Sequence, residues 1–421
     1  MAPPERLSFG VEMEFYVAWY TDPKIPMPPP PGFESKTGGP ILIQEGVGDL
    51  DASMALLTGA IRVTYDISMS LTPDELQDFV TPKYGWAGVE VVSPALWATD
   101  EGFAEVRTVC EYIQNHLWTL CKTGLHIHVG CGNEWFSIRS ARQIAALLYA
   151  GDPVLTQLHP KHRRTNRWCP SPRLYSKVSM GKKMQHAPEP PSQLSDVSQQ
   201  STVANIPGKK VTIQPLPVRP TEKSYEIERD YLQILLDVNT DPEIQQDVKT
   251  YNPIPIMEAV NELLKSTARG TIAELMGTPL FSSRPAYNFQ HFRVEGSRTI
   301  EFRQPTGTVD AAEVVSQARI AVHLCEFGAN ASIEQLLPLL LDFEVAEQQP
   351  AWYNVYDLLA DLNLHPEAKV VYAAFQGTVD EKVRREYWEA REPDQLEEQN
   401  QPNEPAESDK TWRRFLPSFK I

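Results

Sequence analysis

Three short stretches of this chain, FGVEMEF (9–15), LHIHV (125–129) and TIEFRQ (299–304), set charged or polar residues in alternation with apolar ones. A period of two fits a β-strand with one buried and one open face, because successive strand side chains point to opposite sides. Glu12 and Glu14 then share a face, as do His126 and His128, and as do Glu301 and Arg303. A fourth stretch, GVEVV (88–92), adds Glu90 between valines. The opposite faces carry Val11, Met13, Ile127, Val129 and Phe302, residues that a core would accept. These strands therefore predict a sheet with one apolar face under helices. Its other face gathers carboxylates, two imidazoles and a guanidinium.

The remaining patterns fit that architecture. Strands are predicted over 6–20, 61–69, 88–96 and 125–131, and a strand–turn–strand over 287–310 with its turn at Glu295–Gly296–Ser297. Helical spacing predicts helices over 99–118, behind a Thr/Asp cap, and over 137–158, broken near Gly151–Asp152–Pro153. Further helices are expected within 251–268, over 310–329 behind an acidic cap, over 331–340, and twice within 352–390. The order groups strands in antiparallel-looking sets and lacks steady βαβ alternation. The expected class is α+β: a curved antiparallel β-sheet carrying the active site on its open face, with helices packed on the other.

Proline marks the breaks. Residues 21–33 are too proline-rich for helix or inner strand and read as a loop leaving the first strand. Residues 186–220 are rich in Pro, Ser and Gln and lack apolar periodicity. The expected organisation is a catalytic domain in two parts, 1–182 and 225–345, interrupted by an insertion at 183–224. A helical extension (346–391) and an acidic polar tail (392–421) follow.

A net charge of −16 argues against a nucleic-acid or anionic-membrane partner. The five cysteines form no CxxC pair and read as reduced thiols. No signal peptide is visible at MAPPERLSFG, and no apolar run is long enough for a transmembrane helix. The expected location is cytoplasmic, with the oligomeric state left open.

Clustered carboxylates repel one another unless cations neutralise them. Oxygen ligands with some imidazole suit Mg²⁺ or Mn²⁺, and Mg²⁺ commonly contacts substrate phosphates as well. An arginine on the same face then serves as a clamp on phosphate or a developing anion. Together these point to nucleotide-dependent phosphoryl chemistry without a P-loop.

The motifs FGVEMEF, VTYDISM…GVEVVSP, TGLHIHVG, YNFQHF and TIEFRQPTGTVD, in that order, resemble the amidoligases. These are carboxylate–amine ligases related to glutamine synthetase and glutamate–cysteine ligase. The resemblance covers most of residues 6 to 330; the insertion, C-terminal helices and tail lie outside it, in a style common in fungal proteins. It implies a glutamine-synthetase-like catalytic fold and an ATP-dependent ligase. ATP would phosphorylate a small-molecule carboxylic acid, and an amine would attack the acyl phosphate. By analogy Glu12 and Glu14 hold divalent ions, Mg²⁺ or Mn²⁺, with Glu90, His126 and Glu301 completing their shells. His128 then contacts nucleotide phosphates or a metal-bound water, Arg303 stabilises the transferring γ-phosphoryl group, and Asp66 positions the amine or assists its deprotonation. The basic run HPKHRRTNRWC offers Arg163, Arg164 and Arg167 as phosphate or carboxylate contacts, or else as a solvated basic loop. Asn288 either hydrogen-bonds substrate or orders the sheet face. One departure is Pro305 after Gln304, where the family pattern leads us to expect a histidine or similar residue.

Two readings from other classes stand beside this one. A cupin-like metal oxygenase also carries an HxH strand followed by a glutamate, but Glu134 lies slightly too far on and the acid-rich first strand has no place in that scheme. A non-catalytic interaction protein derived from the ligase fold would work through its helices and acidic tail. The sequence alone makes one prediction about the insertion. Replacing 186–220 with a short Gly/Ser linker should leave the melting temperature nearly unchanged, and a large drop in a thermal melt would show that the segment is packed structure.

Overall fold

The longest strand, β1 (Ser8–Tyr20), organises the sheet. The structure, a computed structural model, describes residues 5–20, 29, 33, 38–42, 62–65, 85–164, 168–181, 253–278, 284–293, 298–349 and 352–374. All of these lie in one compact unit, Met1–Phe375. The other strands are β2 (Ile41–Leu42), β3 (Arg62–Tyr65), β4 (Gly85–Val92), β5 (Leu96–Trp97), β6 (Thr119–Leu120), β7 (Leu125–Gly130), β8 (Tyr287–Asn288) and β9 (Ile300–Phe302). The main path runs β3-β4-β1-β7-β9-β8, with β2, β5 and β6 paired to β1. Every pairing is antiparallel except that of β1 with β2. Among the described residues the sheet is open, whereas a cupin-like reading of the HxH strand needs a closed barrel.

The helices are α1 (Asp100–His116), α2 (Ile138–Leu155), α3 (Lys161–Arg164), α4 (Pro172–Tyr175), α5 (Ile256–Leu264), α6 (Arg269–Met276), α7 (Ala311–Asn330), α8 (Ile333–Gln348), α9 (Val355–Asp361) and α10 (His365–Ala374). The mixture of helices with a largely antiparallel sheet is the α+β class expected. None of the described helices is long and apolar enough to cross a membrane.

The apolar strand face is covered as the alternation predicts. Val11, Met13, Phe15, Ile127 and Val129 are buried. On that side Phe103 of α1 stacks on Phe9 at 4.5 Å, and the Cys110 thiol lies 3.6 Å from the Met13 sulfur. The expected caps are present: the Thr99 side chain accepts from the Gly102 N–H, and Asp310 accepts from the N–H groups of Ala312 and Glu313. Behind this layer α2 packs against α5, α6, α7 and α8 and is buried along most of its length.

Several boundaries differ from the sequence reading. The strand predicted over 88–96 stops at Val92, because Pro94 has no N–H to donate to a ladder. There the Ser93 hydroxyl stands in as acceptor for the Val11 N–H at 2.9 Å, and pairing resumes in β5. The break predicted near Gly151–Asp152–Pro153 is absent, since α2 continues through Pro153 to Leu155 before a 3₁₀ turn over Thr156–Leu158. Packing on every side outweighs the roughly 3 kcal/mol that an interior proline costs. α8 likewise runs through Pro338 to Gln348, beyond the expected end at 340, from a Ser332/Gln335 capping box. The domain boundary expected at 345/346 falls inside α8, and α10 packs on α7, so the described part of the helical extension is continuous with the core. The strands flanking 295–297 are shorter than expected but pair as predicted. That turn, the insertion at 183–224 and the tail lie outside the described residues.

Gly328 of α7 marks a close crossing with α2. A Cβ there would lie 2.9 Å from the Ile144 Cγ1 and 3.0 Å from its Cα. Although glycine forfeits up to about 1 kcal/mol of helix propensity, overpacking costs about 1–3 kcal/mol. Gly328→Val should therefore lower the melting temperature in a thermal melt; an equal or higher value would contradict the packing.

Candidate functional site

Strand register assembles the polar face. Across the β1–β7 ladder Glu12 stands opposite His126, and across β1–β4 Glu14 stands opposite Glu90. His128 pairs in register with Glu301, and Glu301 with Asn288. Residues far apart in sequence thus meet on neighbouring strands, all on the side away from the helix layer.

Three carboxylates converge on one ring nitrogen. His126 Nδ1 lies 3.3 Å from Glu12 Oε2, 3.7 Å from Glu14 Oε1 and 3.7 Å from Glu301 Oε1. His128 Nε2 lies 3.1 Å from Glu12 Oε1, and its Nδ1 is 3.0 Å from the Thr299 hydroxyl. Glu301 is the most enclosed of the acids. Its Oε2 accepts from Asn288 Nδ2 at 2.7 Å and faces His291 Nε2 at 3.0 Å, while its Oε1 pairs with Arg303 Nη1. Arg303 also donates Nε to the Trp168 carbonyl at 3.3 Å, which fixes the guanidinium plane. Glu14 is held from the backbone side, accepting the Gly124 N–H at 3.2 Å. Gly124 makes room for this crowding, since a Cβ would sit 3.0 Å from Arg163 Nη2 and 3.1 Å from His126 Nε2, tighter than ordinary contact.

The electrostatics follow from this crowding. Burial opposes ionisation of Glu12, but the imidazoles of His126 and His128 outweigh it and hold its carboxyl well below the usual carboxylate range. Burial likewise opposes ionisation of Glu301, and His291, Arg303, His128 and His126 together keep it ionised. Burial disfavours a charged His128, yet Glu12 and then Glu301 raise its pKa.

The arrangement bears out the shared faces of Glu12, Glu14, Glu90, His126, His128, Glu301 and Arg303. Asn288 orders the sheet face through Glu301. Of the arginines in the basic run, the structure describes Arg163 and Arg164. Arg163 is buried, donating Nε to the Gln304 carbonyl at 3.1 Å and Nη2 to the Arg303 carbonyl at 2.6 Å. Arg164 donates to the carbonyls of His159 and Gln157. Their donors brace main chain, and Arg163 in particular holds the strand end that follows Arg303, beside Pro305. Asp66 and Arg167 lie outside the described residues.

Sequence reasoning missed His291. The Asn288 side chain accepts the Gln290 N–H at 2.9 Å and starts a 3₁₀ turn over Gln290–Phe292 that delivers the ring to Glu301. The only sequence trace is the Asn-x-x-His spacing inside YNFQHF.

The donor chemistry fits divalent cations. Glu12, Glu90 and His126 each bring a ligand atom within 4.8 Å of the others, and so do His128, His291 and Glu301. Carboxylates mixed with imidazoles are the ligand types that divalent ions of this class take.

Residues 39–201 match the model of a family described as "Putative amidoligase enzyme", the family that the motifs resemble. The match supports a ligase-type enzyme. It contains Glu90, His126 and His128; Glu12, Glu14, Glu301 and Arg303 lie outside the matched span and join those residues through strand pairing. No curated protein and no solved structure matches the chain.

The shifted groups predict how the metal-free protein responds to pH. Glu12 and Glu301, with lowered values, contribute stability above the ordinary carboxylate value of 4.5 that is lost as pH falls. His128, with a raised value, contributes stability below its ordinary 6.5 that is lost as pH rises through its folded value. With chelator present, melting temperature should peak between these two pH values, and His128→Gln should flatten the alkaline decline. Thermal melts across pH would refute this if that decline persisted in the variant.

Proposed function

We propose that this chain is an ATP-dependent amidoligase that joins a small-molecule carboxylic acid to an amine through an acyl phosphate. The observation that carries the reading is the convergence of Glu12, Glu14 and Glu301 on His126 Nδ1, within 3.7 Å, with Arg303 paired to Glu301. The sheet face would be used as in a glutamine-synthetase-like catalytic fold.

In this reading Glu12, Glu14, Glu90, His126 and Glu301 would hold Mg²⁺ or Mn²⁺. Such ions would neutralise the carboxylates and the nucleotide phosphates. The γ-phosphoryl group of ATP passes to a carboxylate oxygen of the acid, releasing ADP. The amine nitrogen then attacks the carbonyl carbon, phosphate leaves, and the nitrogen gives up a proton to form the amide. Asp66 is assigned to orient the amine or receive that proton.

Arg303 has a role set by its constraints. Phosphoryl transfer passes through a loose transition state with charge spread over the equatorial oxygens. A guanidinium already locked by Glu301 and the Trp168 carbonyl can stabilise that charge with little reorganisation. His128, held at Nδ1 by Thr299, would keep Nε2 available to the phosphates or to a bound water. Arg163 supports the reaction indirectly, by fixing the backbone at Arg303 and Gln304. Direct phosphate or carboxylate contacts by Arg164 and Arg167 remain proposals of the family pattern.

Three measurements test the reading. A screen for ADP release against pooled acids and amines, with Mg²⁺ or Mn²⁺, should identify a productive pair, and release of AMP with pyrophosphate would contradict it. On that pair Arg303→Lys should lower turnover by about 10²-fold or more, because a point charge lacks the planar fork. Near-normal turnover in the lysine variant would remove Arg303 from the chemistry. Separately, Mg²⁺ with ATP should raise the melting temperature by linkage, and Glu12→Gln and Glu14→Gln should lose the increase while staying folded. An unchanged increase in both variants would overturn the metal assignment.

A further inference from the structure

His128, His291 and Glu301 form a donor set of a different kind from its neighbour. Glu12, Glu90 and His126 offer two carboxylates and one imidazole; here two imidazoles meet one carboxylate, with ligand atoms within 4.8 Å of one another. The two rings stand edge to face, with centroids 5.2 Å apart. His128 Nδ1 is taken by the Thr299 hydroxyl at 3.0 Å, so Nε2 is the nitrogen left to serve as a ligand. That nitrogen is shut off from solvent and makes no well-formed hydrogen bond, although Glu12 Oε1 lies 3.1 Å away. An outer hydrogen bond that fixes the ring and leaves the other nitrogen to a cation is the usual support for a metal-binding histidine.

His291 is also placed by design of the local chain. Its 3₁₀ turn is pinned at the start by the Asn288 side chain and from the side by Gln290, whose Nε2 donates to the Ala273 carbonyl of α6 at 2.7 Å. The ring therefore meets Glu301 from a braced segment.

We propose that His128, His291 and Glu301 form an imidazole-rich cation site that takes a divalent first-row transition metal, such as Fe²⁺, Co²⁺ or Zn²⁺, in preference to Mg²⁺. Mg²⁺ is a hard ion that favours oxygen ligands and keeps its waters, whereas imidazole suits the later first-row ions. The carboxylate-rich neighbour would accept Mg²⁺, so the face would carry two cation loci of unlike selectivity. This deepens the metal-binding reading above and adds His291 to the ligands.

The test uses the full chain, stripped with chelator, and Co²⁺ as a spectroscopic probe. No acid, amine or nucleotide is present, so the result stands apart from whether the chain proves to be a ligase. In excess Mg²⁺, Co²⁺ should still bind the native protein at one site, read by its visible absorption and by calorimetry. His291→Asn and His291→Gln should weaken that binding about tenfold or more. Glu90→Gln should leave it in place. Displacement of Co²⁺ by Mg²⁺ at comparable concentration in the native protein would overturn the proposal, a result that needs no variant to fold. Native-like Co²⁺ binding in both folded His291 variants would also overturn it.

Discussion

Glu12 stands opposite His126 across the β1–β7 ladder, and the rest of the polar face depends on that register. Because side chains alternate with a period of two, a slip of one residue would turn Glu12 and Glu14 into the helix layer and Val11 and Met13 outward. The buried apolar row therefore locks the charged row in place. Phe9, Val11, Met13 and Phe15 lie against the core on one side, and the acids can sit only on the other. Packing energy from the core is what holds groups together that would otherwise repel.

The same face is balanced electrostatically by its own cations. Glu301 has Asn288 and His291 on one oxygen and Arg303 on the other, and Glu12 lies between His126 and His128. Removing all partners of one of these acids would leave a buried carboxylate uncompensated, which costs on the order of several kcal/mol. In the proposed function a divalent ion would share this neutralising role, and folding, cation binding and phosphate chemistry would then draw on one set of side chains. The donor composition is uneven: the half nearer β4 is rich in carboxylate oxygens, and the half nearer β8 is rich in imidazole.

Much of this was legible in the sequence because it follows from local rules. Alternation alone assigned Glu12, Glu14, Glu90, His126, His128 and Glu301 to a common side, and Thr99 and Asp310 announced their helices. Features set by distant partners were not legible. Arg163 reads as part of a basic loop until the carbonyls of Arg303 and Gln304 are placed beside it. His291 depends on an Asn288 side-chain turn, which has no periodic signature. Pro153 suggests a break, but the surrounding helices decide otherwise for α2, and α8 continues past its expected end at 340 from a capping box.

The central claim is that this face transfers a phosphoryl group from ATP to a carboxylate. Its most direct measurement is isotope transfer, using an acid labelled with ¹⁸O in its carboxyl group and mass spectrometry of the released phosphate. An acyl phosphate route predicts that one labelled oxygen moves from acid to phosphate in each turnover. Unlabelled phosphate, in a reaction that forms the amide, would contradict the account.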